Sequence, residues 1–138
     1  LASYLSLFLS DYFYINFRHN DFDIIVPVPL FRRQGKERGF NQSLLLAKHL
    51  SKEVSLPLSI NNLIRIKDTP SQTSLSRKER LKNVSGAFSI RKKEVFKEKN
   101  LLLIDDVSTT GATVLACKRV LRKAGAKKVI ALVLAKGA

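Results

Sequence analysis

Residues 101–135 limit the fold more than any other stretch. An apolar run, LLLID (101–105), leads through the loop DVSTTGA into TVLACKRVLRKA (113–124), whose apolar positions recur at helical spacing; a second apolar run, KVIALVLA (128–135), follows Gly125. Strand, helix and strand at this spacing predict a βαβ unit with a right-handed crossover, because parallel neighbours need a long connection. Gly125 stands where a helix C-cap is expected.

The rest of the chain alternates in the same way. DIIVPV (23–28) reads as a short buried strand ended by Pro27 and Pro29, since proline donates nothing to a ladder. FNQSLLLAKHLSKEV (40–54) reads as a helix with Asn41 as its cap and Leu44, Leu45, Ala47 and Leu50 facing in. LIRI (63–66) and GAFSI (86–90) are brief strands, and KDTPSQTSLS (67–76) has the composition of a mobile loop. At the start, Leu1, Leu5, Phe8, Leu9, Tyr12 and Ile15 predict an amphipathic helix that caps the core or waits for a partner domain. The expected architecture is α/β: three layers, α/β/α, around a mostly parallel sheet, with 1–138 as a single domain.

No apolar run approaches the ~20 residues that cross a bilayer, so membrane insertion is not expected. Residues 1–17 also lack the basic start and cleavage site of a signal peptide. Cys117 is the sole cysteine, which excludes an intrachain disulfide framework and a multi-cysteine zinc site and fits the cytoplasm. The chain contains no Met, so a fragment or processed piece with something missing upstream is expected.

Charge narrows the class of partner. Lys and Arg number 25 against 11 Asp and Glu, a net +14, which favours nucleic acid, phosphorylated metabolites or acidic membrane. Four segments hold the excess: 32–38 (+3), 65–82 (+4), 91–99 (+3) and 118–128 (+6). Elsewhere the chain is slightly acidic, and its only adjacent acids are Asp105 and Asp106.

That pair opens the segment DDVSTTGAT (105–113), at the carboxyl end of a predicted strand, where open α/β sheets bind ligands. Gly111 permits close backbone approach, Ser108, Thr109, Thr110 and Thr113 offer hydroxyls, and a helix start attracts phosphate. Carboxylates repel a phosphate at short range, so they must address something else. A sugar diol carrying a 5′-phosphate resolves the conflict: Asp105 and Asp106 accept from the hydroxyls or hold a divalent cation while the loop takes the phosphate. Neighbouring strand residues point to opposite faces, so both acids reach one ligand only if the chain turns at Asp106. The other reading is two acids capping the next helix.

LLLIDDVSTTGAT resembles the phosphoribosyl-diphosphate (PRPP) motif of the type I phosphoribosyltransferases. The resemblance implies that Asp105 and Asp106 bind the ribose hydroxyls, that Val107, Ser108, Thr109, Thr110, Gly111, Ala112 and Thr113 complete the PRPP site around the 5′-phosphate, and that Mg²⁺ accompanies PRPP. VPVPL (26–30) with RRQGKERGFNQ (32–42), and RIKDTPSQTSLSRKERLKNVSGAF (65–88), stand in the order and spacing of the competence protein ComF (ComF/GntX) family. This wider resemblance spans about residues 23–135 and implies a phosphoribosyltransferase-type fold acting in natural transformation or DNA uptake.

Within that frame Arg32, Arg33, Lys36 and Arg38 fall where pyrophosphate is met, and guanidinium forks suit a diphosphate. A solvated basic loop is the alternative. Segment 65–82 matches the loop that closes over PRPP, which implies Arg65, Lys67, Arg77 and Arg80 as the cations that stabilise the leaving group. Gln72, Thr73 and Asn83 are open to a base or nucleotide. Where purine-salvage members carry a general base, four residues after the first acid, this chain has Thr109. ComF proteins usually begin with a four-cysteine zinc ribbon; residues 1–138 carry none, so the expectation is a ribbon removed upstream or a homologue that never had one. The expected activity is phosphoribosyl transfer with release of pyrophosphate. The alternative is a non-catalytic module that binds single-stranded DNA or a nucleotide, with a DNA-uptake helicase as partner. Clusters 91–99 and 118–128 have no part in the transfer chemistry.

Overall fold

The computed structural model describes residues 2–33, 36–37, 41–67, 78, 86–108 and 111–136. Its centre is a parallel sheet of three strands in the order β1 (Ile24–Pro27), β6 (Asn100–Ser108) and β7 (Lys128–Lys136). Ile24 lies opposite Leu101 on one side of β6, and Asn100 opposite Lys128 on the other. The sheet continues past β1 through a parallel bridge between Ile25 and Leu58, with Ile25 N–H donating to Pro57 O (2.8 Å) and Ser59 N–H to Ile25 O (2.9 Å). Two antiparallel pairs flank this core: β2 (Arg32–Arg33) with β3 (Lys36–Glu37), and β4 (Leu63–Arg65) with β5 (Phe88–Ile90).

Strand β6 is apolar on both faces because both faces are covered, the arrangement that parallel sheets require. Leu102 and Ile104 pack with Ile25 against α1 (Ala2–Asn16) and α2 (Gln42–Val54), where Leu9, Phe13, Leu46, Ala47 and Leu50 are buried. Leu101 and Leu103 point the other way, into a core with Phe88 and Ile90 of β5 and with Ala116, Cys117 and Leu121 of α3 (Ala112–Lys123). All four central residues of β6 are fully buried. The three-layer α/β/α reading therefore holds, and the βαβ unit over 100–136 is parallel as its spacing requires.

Two local expectations are corrected. Of the residues foreseen on the inner face of α1, Leu9 is buried, while Phe8, Tyr12 and Ile15 lie 66%, 47% and 82% exposed. Phe13 takes the inner position and meets the rings of Phe17 and Phe22, with centroids 5.8 and 6.1 Å away. In α2 the buried positions are Ser43, Leu46, Ala47, Leu50 and Val54; Leu44 and Leu45 are only half-buried. Gly125 closes the helix as expected: α3 ends at Lys123 with Ala124 as the C-cap residue, and Gly125 then takes the left-handed conformation (φ +100°), its N–H donating to Arg122 O at 3.0 Å and that of Ala126 to Leu121 O at 3.2 Å. The predicted loop 67–76 and the turn expected over SRKERLKN fall largely outside the described residues. No helix among the described residues is long and apolar enough to cross a membrane.

Candidate functional site

The carboxyl ends of β1 and β6 and the N-termini of α2 and α3 converge on one cavity of about 230 Å³. Strand β6 supplies Asp105, Asp106 and Val107; the segment after β1 supplies Val28, Pro29 and Leu30. Helix α2 begins there because Asn41 caps it, its side-chain oxygen accepting from Leu44 N–H at 3.1 Å. Gln42 and Ser43 of that first turn line the wall, and Gly111, Ala112 and Thr113 bring in the start of α3. Gly111 is the N-cap residue and sits at φ +78°, a conformation glycine adopts without penalty. The positive end of a helix thus faces a cavity that holds two carboxylates.

The acids share one hydroxyl. Ser43 Oγ lies 3.3 Å from Asp105 Oδ1 and 3.2 Å from Asp106 Oδ1, and it accepts the Asp106 backbone N–H at 3.1 Å. A serine has one proton, so it donates to one carboxylate at a time. The expected turn at Asp106 is absent, since β6 continues to Ser108. Ser43 solves the geometry instead: its oxygen sits beside the backbone of Asp106, within reach of side chains from both strand faces.

Burial raises the pKa of Asp105. Asp105 is 6% exposed, and burial, followed by the nearby negative charge of Asp106, pushes its carboxyl from the usual 3.8 up to about 6, against the opposing pull of the Ser43 hydrogen bond. Asp106 is half-buried. Behind the site Cys117 is fully buried, and burial pushes its thiol far up.

Arg65, at the end of β4, lines this cavity and also a neighbouring one of about 370 Å³, with which it shares Pro29, Leu30 and Asn41. Its guanidinium lies 5.4 Å from the centre of the Phe88 ring, and its Nε–H donates to Lys67 O at 3.2 Å. Lys67 is exposed and lines neither cavity. Arg32, Arg33 and Lys36 are placed by backbone alone, in the β2–β3 pair that follows the β1 loop; the backbone of Ser108 ends β6. Arg38, Arg77, Arg80, Thr109 and Thr110 lie outside the described residues. Ser43 and the wall of Pro29 and Leu30 escaped the sequence reading, because a serine in the first turn of a helix reads as a cap.

A parallel sheet ending in paired acids and a helix start defines a class. The family described as "Phosphoribosyl transferase domain" matches residues 41–138, and the chain belongs to it. Within that class it is a homologue of the ComF-type competence proteins. It is 38% identical over 109 residues to "Competence protein F" of Haemophilus influenzae, covering 78% of this chain and 47% of that protein. To "DNA utilization protein YhgH" of Escherichia coli K12 it is 36% identical over 107 residues, covering 78% and 46%. The chain thus spans about half the length of the curated relatives it matches. Among solved structures, a glutamine PRPP amidotransferase from B. subtilis, complexed with ADP and GMP, superposes with a TM-score of 0.63 at 18% identity, over 96% of this chain and 26% of that one. That likeness shows the fold.

Proposed function

We propose that this chain binds PRPP in the Asp105–Asp106 cavity and serves, as a single cytoplasmic domain over 1–138, a ComF-type role in DNA uptake. The observation that carries the reading is the shared Ser43 hydroxyl, which holds two acids from opposite strand faces toward one cavity at the start of a helix. Two carboxylates suit the vicinal hydroxyls of a ribose, and the start of α3, with residues 107–113, suits its 5′-phosphate. Arg65 lines the same cavity as the described cation for the diphosphate, joined in this reading by Lys67, Arg77 and Arg80 and by Arg32, Arg33, Lys36 and Arg38. In the transfer itself a nitrogen nucleophile forms a bond to C1 as the C1–O bond breaks and pyrophosphate leaves with the electron pair.

Among the described residues no group of three or more His, Cys, Asp or Glu could cage a metal. Mg²⁺ therefore fits as a companion of the diphosphate, held by phosphate oxygens and water, with Asp105 or Asp106 adding a carboxylate. It would supply charge neutralisation there.

A second reading keeps the ligand and omits the transfer: position 109 offers a Thr where a general base would stand, leaving a PRPP or nucleotide sensor within the uptake machinery. Calorimetry with Mg²⁺ and PRPP tests the shared claim. Binding is expected for the native chain and is expected to vanish in an Asp105→Asn, Asp106→Asn double variant; unaltered binding would overturn the assignment. Pyrophosphate release across a panel of bases and amines separates the enzyme from the sensor.

A further inference from the structure

We propose that the pole of the sheet opposite this cavity is a contact surface for the phosphate backbone of nucleic acid, engaged without regard to base sequence. Two basic segments far apart in the chain meet there. Lys127 N–H and Lys128 N–H both point at Lys99 O, at 2.9 and 3.4 Å, and Glu98 N–H donates to Gly125 O at 2.8 Å. Arg122 reaches the same corner, donating from its guanidinium to Lys127 O at 3.0 Å. Lys97 packs so close to Gly125 that a Cβ there would lie 3.3 Å from its side chain. Lys97, Lys99, Arg122, Lys123 and Lys127 are exposed, and Lys128 is half-buried with its ammonium 5.4 Å from the centre of the Phe22 ring. None of the six forms an ion pair among the described residues.

Two structural explanations account for part of this cluster. Cations near a helix C-terminus offset its negative end, which covers Arg122 and Lys123. Lysines on an edge strand discourage unwanted pairing, which covers Lys128. Lys97, Lys99 and Lys127 belong to neither a helix nor a strand. Two carboxylates stand beside them, Glu98 in the same turn and Asp23, which accepts from Asn100 N–H at 2.7 Å, so the basic charge at this corner exceeds the acidic.

The same surface indicates the partner. A protein interface draws on apolar or aromatic anchors at its centre. Here Phe22, Phe96 and Ala126 are buried, and of the large exposed apolar residues just one, Val95 at 38%, stands in either basic segment, with no exposed aromatic ring beside it. Cations without anchors suit phosphates, whose contacts need only charge and yield affinity through counterion release. Lacking rings on which to stack bases, the pole treats duplex and single strand alike. The six residue steps along β6 from Asn100 to Asp106 set it roughly 20 Å from the acids, more than twice the Debye length of about 8 Å at physiological salt. Nucleic acid and the ligand of the cavity are therefore held at once, each indifferent to the other.

The test uses the full chain, fluorescein-labelled random-sequence oligonucleotides in single-stranded and duplex form, and anisotropy across a salt series. A Lys99→Glu, Lys127→Glu variant is compared with Lys48→Glu, Lys52→Glu on α2, which changes net charge equally. The pole variant is expected to lose at least tenfold in affinity and to flatten the slope of log K against log salt by about 2, while the α2 variant changes less than threefold. A Lys99→Gln, Lys127→Gln variant, with its urea midpoint checked, gives the same direction if the reversal unfolds. Equal losses in pole and α2 variants, absence of binding by the native chain at low salt, or equal competition by polyglutamate would each overturn the proposal. PRPP calorimetry on the pole variant is expected to match the native chain, so failure of the cavity assignment would be seen separately.

Discussion

Replacing Asp105 by Asn makes the burial of this acid measurable. Asp105 is 6% exposed and its carboxyl is raised from 3.8 to about 6, by burial first and by the charge of Asp106 second. The folded chain then holds this proton more tightly than the unfolded chain does. The stabilisation that follows is complete below pH 4 and is lost as pH rises past 6. A shift of roughly two units corresponds to about 3 kcal/mol at neutral pH, taking 1.4 kcal/mol per unit. Asn is nearly isosteric and its oxygen still accepts from Ser43, so the change removes charge while retaining the contact. In urea unfolding at a series of pH values, Asp105→Asn is expected to match the native chain near pH 4 and to exceed it by up to about 3 kcal/mol at pH 7.5. Taking the difference between the two proteins cancels the titration of all other groups. A difference that stays flat with pH, or a variant less stable at pH 7.5 than the native chain, would refute the reasoning.

Ser43→Ala removes a hydroxyl bonded to a carboxylate, roughly 1.5–3 kcal/mol. PRPP binding measured by calorimetry is expected to weaken at least tenfold, and Ser43→Thr to restore most of it. Gly111→Ala places a side chain in the left-handed region where a Cβ would touch nothing, so strain alone acts; a loss of about 1 kcal/mol is expected in urea unfolding. Cys117, buried and with its thiol pushed far up, is expected to resist iodoacetamide at pH 8 in the native state and to react once the chain is unfolded.

The parts of the fold visible in sequence were those whose chemistry is local. The apolar runs of β6 and β7, the helix between them and the Asn41 cap each reflect a residue and its near neighbours. The N-terminal helix misled because it is apolar almost all round: Leu5, Leu7, Phe8, Leu9, Tyr12, Phe13, Tyr14 and Ile15 fit several inner faces. Tertiary contact chose Leu9 and Phe13, which are four residues apart and lie over Phe17 and Phe22. In the site, the acids and Gly111 announced themselves as an adjacent pair and a glycine between strand and helix. Ser43 could not, because its meaning depends on carboxylates 62 and 63 residues away. Likewise, segments 91–99 and 118–128 read as separate charged clusters until the hydrogen bonds of Lys99 joined them.

The two neighbours of β6 are unequal in the work of folding. β7 pairs with it across 28 residues of chain, 12 of them the intervening helix, whereas β1 must return across 77, the distance from Ile24 to Leu101. Short loops close early and long ones late, because the entropy of closure must be met before the contact rewards it. The unit from Asn100 to Lys136 is thus the natural nucleus, with β1 and α2 condensing onto it afterwards. Ser43 travels with the late half and the acids with the early one. The cavity is therefore unfinished in any partly folded chain, and ligand retention becomes a reporter of complete folding.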